Sequence, residues 1–119
     1  MLKKKMNSYN DGVIGVYKED LTLINTDFNA KMNAKKLSDF THIMDLCFLE
    51  QSKRHEDFLF AEAMGKKLTW KIKTPLVEGI EVNHKVIYNN LVYDIINIDP
   101  NNTDKELYIY LEGGKKIEN

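Results

Sequence analysis

Short apolar runs of period two, broken by polar and turn-forming residues, dominate the chain, and only one stretch has helical character. Val13-Ile14-Gly15-Val16-Tyr17, set between Asp11-Gly12 and Lys18-Glu19-Asp20, is β-branched and aromatic and predicts a first strand. Leu21-Thr22-Leu23-Ile24 either extends that strand or pairs back on it. From Asn25 to Phe40 no period is sustained, and asparagines and lysines recur, so a long loop is expected. Loops beyond about 12–15 residues are uncommon in compact domains and usually either carry function or wander. From Thr41 the chain turns apolar again, with Leu46, Phe48 and Glu50 alternating against Cys47, Leu49 and Gln51, which predicts a second, longer strand.

Ser52 offers an N-cap, Glu56 and Asp57 fall in the first turns, and Gly65 stands where a left-handed residue would end a helix. A helix over Lys53 to Met64 follows. Its apolar positions Phe58, Leu59, Ala61, Ala63 and Met64 form a broad stripe, expected to lie flat on a sheet as a lid on the core. Next, Leu68, Trp70 and Ile72 alternate with Lys67, Thr69, Lys71 and Lys73, the pattern of a half-buried strand. Thr74-Pro75 ends its pairing, because proline lacks the amide proton a ladder needs. Val77 to Val82, with Gly79, is a bent connection or short edge strand.

The clearest hairpin joins Val86-Ile87-Tyr88 to Leu91 through Ile98 across Asn89-Asn90, since asparagine tolerates positive φ. Asp99-Pro100-Asn101-Asn102 is expected to make the next turn, Leu107 to Leu111 the last strand, and Gly113-Gly114-Lys115-Lys116 a solvated tail. The fold class is therefore mostly β: a small antiparallel barrel or sandwich of five to six strands, with one inserted α-helix and a long early loop.

Composition narrows the picture without changing it. The 119 residues include 17 basic and 18 acidic side chains, 43% hydrophobic and 29% charged positions, which suits one self-sufficient domain over 1–119 with flexible tails at 1–11 and 113–119. A net charge of −1 disfavours bulk coating of nucleic acid. No apolar run approaches the roughly 20 residues needed to span a bilayer, and Met1-Leu2-Lys3-Lys4-Lys5 leads into polar residues. A soluble product, cytosolic when made and without membrane contact, is expected. The lone Cys47, between Leu46 and Phe48, is expected to be a buried small hydrophobe in a reducing compartment.

No catalytic constellation is recognisable. The chain has no glycine-rich phosphate loop, nucleophile elbow, Cys-x-x-Cys or helical histidine pair. His55 with Glu56, and His84 with Glu81, each offer at most two local metal ligands, so neither metal nor cofactor is expected. Asp94 sits in an apolar strand and is expected to face outward or pair with a lysine. Lys66, Lys67, Lys71 and Lys73 form a candidate basic face, either solvated or turned toward DNA or an acidic partner. Tyr108 and Tyr110 project from the last strand opposite Leu107, Ile109 and Leu111, as interface aromatics or as cross-strand packing with Tyr93 or Tyr88.

One succession of residues is familiar. Ser52-Lys53-Arg54-His55-Glu56-Asp57 with Ala61 and Ala63 comes first, then Lys71-Ile72-Lys73-Thr74-Pro75. The hairpin Val86-Ile87-Tyr88-Asn89-Asn90-Leu91-Val92-Tyr93-Asp94-Ile95, then Ile98-Asp99 and a tyrosine-rich last strand, completes it. From about Phe48 to Glu112 this resembles the head-closure proteins of long-tailed bacteriophages, also called head-tail adaptors or stoppers. The family pattern often has glycine where Asn90 stands.

The resemblance implies a β-barrel subunit of a six- or twelve-fold homo-oligomeric ring below the portal and its adaptor. Such a ring helps retain packaged DNA and presents a docking surface to tail proteins. It would be located at the head-tail interface of the virion and in the host cytoplasm during assembly. The long early loop, with Asn25, Asp27, Asn29, Lys31, Asn33, Lys35 and Lys36, would be the segment reaching the channel or a neighbour. Two alternatives remain at this point: a small nucleic-acid-binding barrel using the lysine face, and a tail-completion or terminator protein of the same virion.

Overall fold

The computed structural model describes residues 9–19 and 37–117. Leu21 to Ile24, and the part of the expected loop over 25–36, lie outside them. Among the described residues there are six strands and one α-helix. The strands are β1 (Gly12–Glu19), β2 (Phe40–Glu50), β3 (Trp70–Pro75), β4 (Lys85–Tyr88), β5 (Leu91–Asn101) and β6 (Glu106–Lys116), and α1 (His55–Ala63) joins β2 to β3. All pairings are antiparallel, and the sheet closes in the order β1-β2-β3-β6-β5-β4. Closure is made by β1 against β4, with Val16 opposite Val86. The closed sheet hides the edges that would otherwise invite pairing with other chains.

One face of every strand fills the interior, as the alternation predicts. Ile14, Val16, Leu46, Phe48, Ile72, Val86, Ile95, Leu107, Ile109 and Leu111 form a single cluster, each at most 6% exposed. The hairpin also matches expectation: Asn89 and Asn90 have φ of 52° and 65°, the left-handed pair of a type I′ turn. Asn90→Gly should therefore be neutral or stabilising by up to about 1 kcal/mol. Asn90→Val should cost about 1–2 kcal/mol, because a branched side chain resists that conformation. Urea denaturation of the two variants checks both signs.

Several boundaries differ from the sequence reading; β3, for one, starts at Trp70 rather than Lys67 and stays paired through Thr74 and Pro75. The turn after β5 is not Asp99 to Asn102. β5 runs on through Pro100, which pairs opposite Leu107, and the chain turns over 102–105 with Lys105 at φ 58°. The short β4 accompanies β5 only as far as Asp94. Beyond that point β5 has β6 alone as partner, and the position tolerates proline.

Nor is Gly113-Gly114-Lys115-Lys116 a tail. Tyr93 pairs with Gly113 and Val92 with Lys115, so Gly114 is the extra residue of a bulge. Its φ of 111° is glycine's territory. Ile117 beyond it is buried and donates its N–H to the Asn90 carbonyl (2.8 Å). At the other end, residues 9–11 of the expected tail are anchored too. Tyr9 is buried with its hydroxyl donating to Glu106, and burial pushes its pKa upward. The described end of the expected loop is not loop either: a single 3-10 turn, Leu37–Asp39, leads directly into β2 at Phe40.

α1 starts at His55, not Lys53, and its N-cap is Arg54, not Ser52. The reason is Asp57. Three residues into the helix, its carboxylate accepts the Arg54 N–H at 2.9 Å and closes the first turn from inside. The C-terminus matches expectation, with Gly65 at φ 70°. Gly65 N–H bonds the Glu62 carbonyl at 2.9 Å and Lys66 N–H that of Ala61 at 2.8 Å, the paired bonds of a Schellman ending.

The helix is not a lid on the core. A closed barrel fills its own interior, so α1 has only the barrel's outer surface to pack on. There Ala61 meets Leu68, Ile96 and Tyr110, with Tyr108 alongside. Only Asp57 and Ala61 of the helix are buried. Leu68 precedes β3 and lies under the helix, whereas Ile72 lies in the barrel, so Leu68 and Ile72 do not share a face as their alternation suggested.

Candidate interaction surfaces

The four lysines of the expected basic face do not form one. Lys71 is 5% exposed, and its Nζ lies 3.0 Å from Asp57 Oδ2 beneath the helix. It also sits 5.6 Å and 5.2 Å from the ring centres of Tyr108 and Tyr110, within cation–π range. Lys73 Nζ is 3.5 Å from Glu106 Oε2. Only Lys66 and Lys67 stand exposed. Burial would raise the Asp57 pKa, but the Arg54 N–H and the Lys71 ammonium outweigh it and hold the carboxyl below its ordinary range. Alternation correctly puts Lys71 on the outside of the sheet. What it could not show is that the helix covers that outside.

Tyr108 and Tyr110 share this fate. They lie opposite Lys73 and Lys71 in the β3–β6 ladder. Tyr110 is 9% exposed, and burial together with nearby Asp57 and Asp99 pushes its pKa up. Neither Tyr88 nor Tyr93 packs on them; the helix and Lys71 do, so the two tyrosines seat the helix.

The helix presents its remaining apolar side chains to solvent: Phe58, Leu59, Phe60 and Met64 are 39–51% exposed. At about 3.6 residues per turn, Phe58 and Phe60 flank the buried Asp57–Ala61 edge and Leu59 is on the far side. Two other exposed apolar side chains stand apart from each other, Val13 at the start of β1 at 58% and Val82 just before β4 at 50%, at opposite ends of the β1–β4 pair. In the closed order β1-β2-β3-β6-β5-β4, β1 is three places from β6 in either direction. Val13 is therefore across the barrel from the β3-β6-β5 surface that carries α1.

Asp94 pairs with Lys85 at 2.7 Å on the surface, as expected. Cys47 is half-buried, not buried: it alternates outward between Leu46 and Phe48, opposite Val13. The histidines are dispersed. His42 bonds Asp45 at 2.8 Å in the open, His55 opens the helix, and buried His84 accepts the Glu81 N–H at 3.0 Å within a turn. Among the described residues no group of three or more His, Cys, Asp or Glu could hold a metal ion. Among them, too, no helix is long and apolar enough to cross a membrane.

Asn25, Asp27, Asn29, Lys31, Asn33, Lys35 and Lys36 lie outside the described residues. What the sequence reading missed is one end of the barrel, where Glu50, Trp70, Tyr88 and Tyr93 converge from four strands around a cavity of about 590 Å³. Each is ordinary in its own segment, and only sheet closure brings them together. No family model matches the chain, and no curated protein matches it significantly.

Proposed function

We propose that this chain is a structural subunit of the head-tail connector of a long-tailed bacteriophage. In this reading it assembles as a ring below the portal and adaptor, helps close the DNA-filled head and offers the tail its docking surface. It does no chemistry of its own. The observation that carries the proposal is exposed apolar surface on opposite sides of one small barrel: Phe58, Leu59, Phe60 and Met64 on α1, and Val13 on β1 across from them. A ring built head to tail joins two different surfaces of each subunit, whereas a two-fold dimer joins one surface to itself. A small β-barrel is also what the resemblance over Phe48 to Glu112 implied.

Native mass measurement of the purified protein, alone and mixed with candidate portal, adaptor and tail proteins, tests this function. A closed ring, or a complex of fixed stoichiometry with those partners, is expected. A monomer that ignores every one of them would contradict it.

A further inference from the structure

We infer that the open end of the barrel beside Trp70 is a binding site for an organic cation, the guanidinium or alkylated ammonium of a basic side chain on a partner protein. The inference does not depend on the connector reading. The cavity of about 590 Å³ is walled by Phe48, Trp70, Tyr88 and Tyr93. Trp70 is the centre of the aromatic wall, with ring centres 5.4 Å from Tyr88 and 5.1 Å from Tyr93 at tilted angles. Phe48 meets Trp70 and Tyr88 edge to face at 5.2 Å and 5.3 Å. Aromatic faces carry negative potential and attract cations.

The polar groups carry the same sign. Asp11 and Glu50 both line the cavity, and no lysine or arginine is among the residues that line it. Both carboxylates are held in place: Asp11 Oδ2 accepts the Glu50 N–H at 2.7 Å, and Glu50 Oε2 accepts the Trp70 indole N–H at 2.8 Å. Each uses one oxygen in that bond and has a second to offer a ligand. Lys53 reaches the rim, but its Nζ is bound to the Thr69 carbonyl at 3.1 Å rather than to either carboxylate. Two anchored carboxylates over a wall of aromatic rings select a positive charge carried on an apolar stem. A neutral ligand of similar shape would leave the carboxylates without compensation.

Trp70 is the only tryptophan in the chain, so its fluorescence reports the site directly. Acetyl-arginine amide and acetyl-trimethyl-lysine amide, titrated into the full chain, should each give a saturable change. Their neutral counterparts with the same capped termini, acetyl-citrulline amide and acetyl-norleucine amide, should bind at least about tenfold more weakly. Glu50→Gln and Asp11→Asn should each weaken the cations about fivefold without changing the melting temperature, because the amide oxygens still accept the same N–H groups. An equal response to acetyl-norleucine amide, or no saturable response of the unmodified chain to either cation, would overturn the proposal.

Discussion

Asp57→Leu is expected to destabilise the helix-bearing side of the molecule by about 3–5 kcal/mol, because it strands the Lys71 ammonium under α1 without its carboxylate. Asp57 and Lys71 are 6% and 5% exposed and 3.0 Å apart. The same substitution removes the acceptor that closes the first turn at Arg54. Removing both charges is different in kind. Asp57→Leu combined with Lys71→Met leaves nothing charged to desolvate and should recover most of the loss. Urea denaturation of the single and double variants measures the difference, and helical circular dichroism shows whether α1 undocks while the barrel persists. Equal instability of single and double variants would show that the pair is not what holds the helix.

Asp57 also sets a pH dependence of definite sign. Its folded pKa is depressed relative to the unfolded chain, so the stability it contributes is present above the ordinary carboxylate pKa of about 4. That contribution is lost as pH falls through the folded value. The stability difference between the wild-type chain and Asp57→Asn should therefore shrink progressively below about pH 4. A difference that stays constant to the acid limit would contradict the assignment.

The second large effect concerns assembly. Leu59 and Phe60 are 51% and 45% exposed and belong to the apolar helix surface proposed to meet a neighbouring subunit. Leu59→Glu with Phe60→Glu should change the stability of the isolated subunit by no more than about 0.5 kcal/mol each. Ring formation should be abolished, because two charges would be desolvated at the interface. Light scattering across a concentration series, with thermal melts beside it, separates the two consequences. Assembly at wild-type concentration would remove the helix from the interface.

Local rules went far with this chain. The interior face was legible because Leu46/Phe48 and Leu107/Ile109/Leu111 alternate strictly, and the hairpin because two adjacent asparagines accept positive φ. What stayed hidden depends on contacts between distant segments. Pairing of β1 with β4 closes the sheet, and no local pattern announces it. Gly113-Gly114 looks like the start of a tail until Tyr93 is seen opposite, when it becomes a bulge. Pro100 looks like a turn residue until β4 is known to stop short. Lys71 looks solvated until the helix is placed over it. The aromatic end of the barrel is the extreme case, since Asp11, Phe48, Trp70, Tyr88 and Tyr93 are brought together only by closure.

The most direct test of head-to-tail assembly is chemical cross-linking between the two apolar sides. On a Cys47→Ser background, one variant carries both Leu59→Cys and Val13→Cys, and two others carry one of these each. A short bis-maleimide should convert the double variant into a ladder of covalent oligomers ending at the ring number, and should leave each single variant uncross-linked. Covalent dimers from a single variant, or no ladder from the double one, would contradict a ring in which the helix of one subunit meets the β1 side of the next.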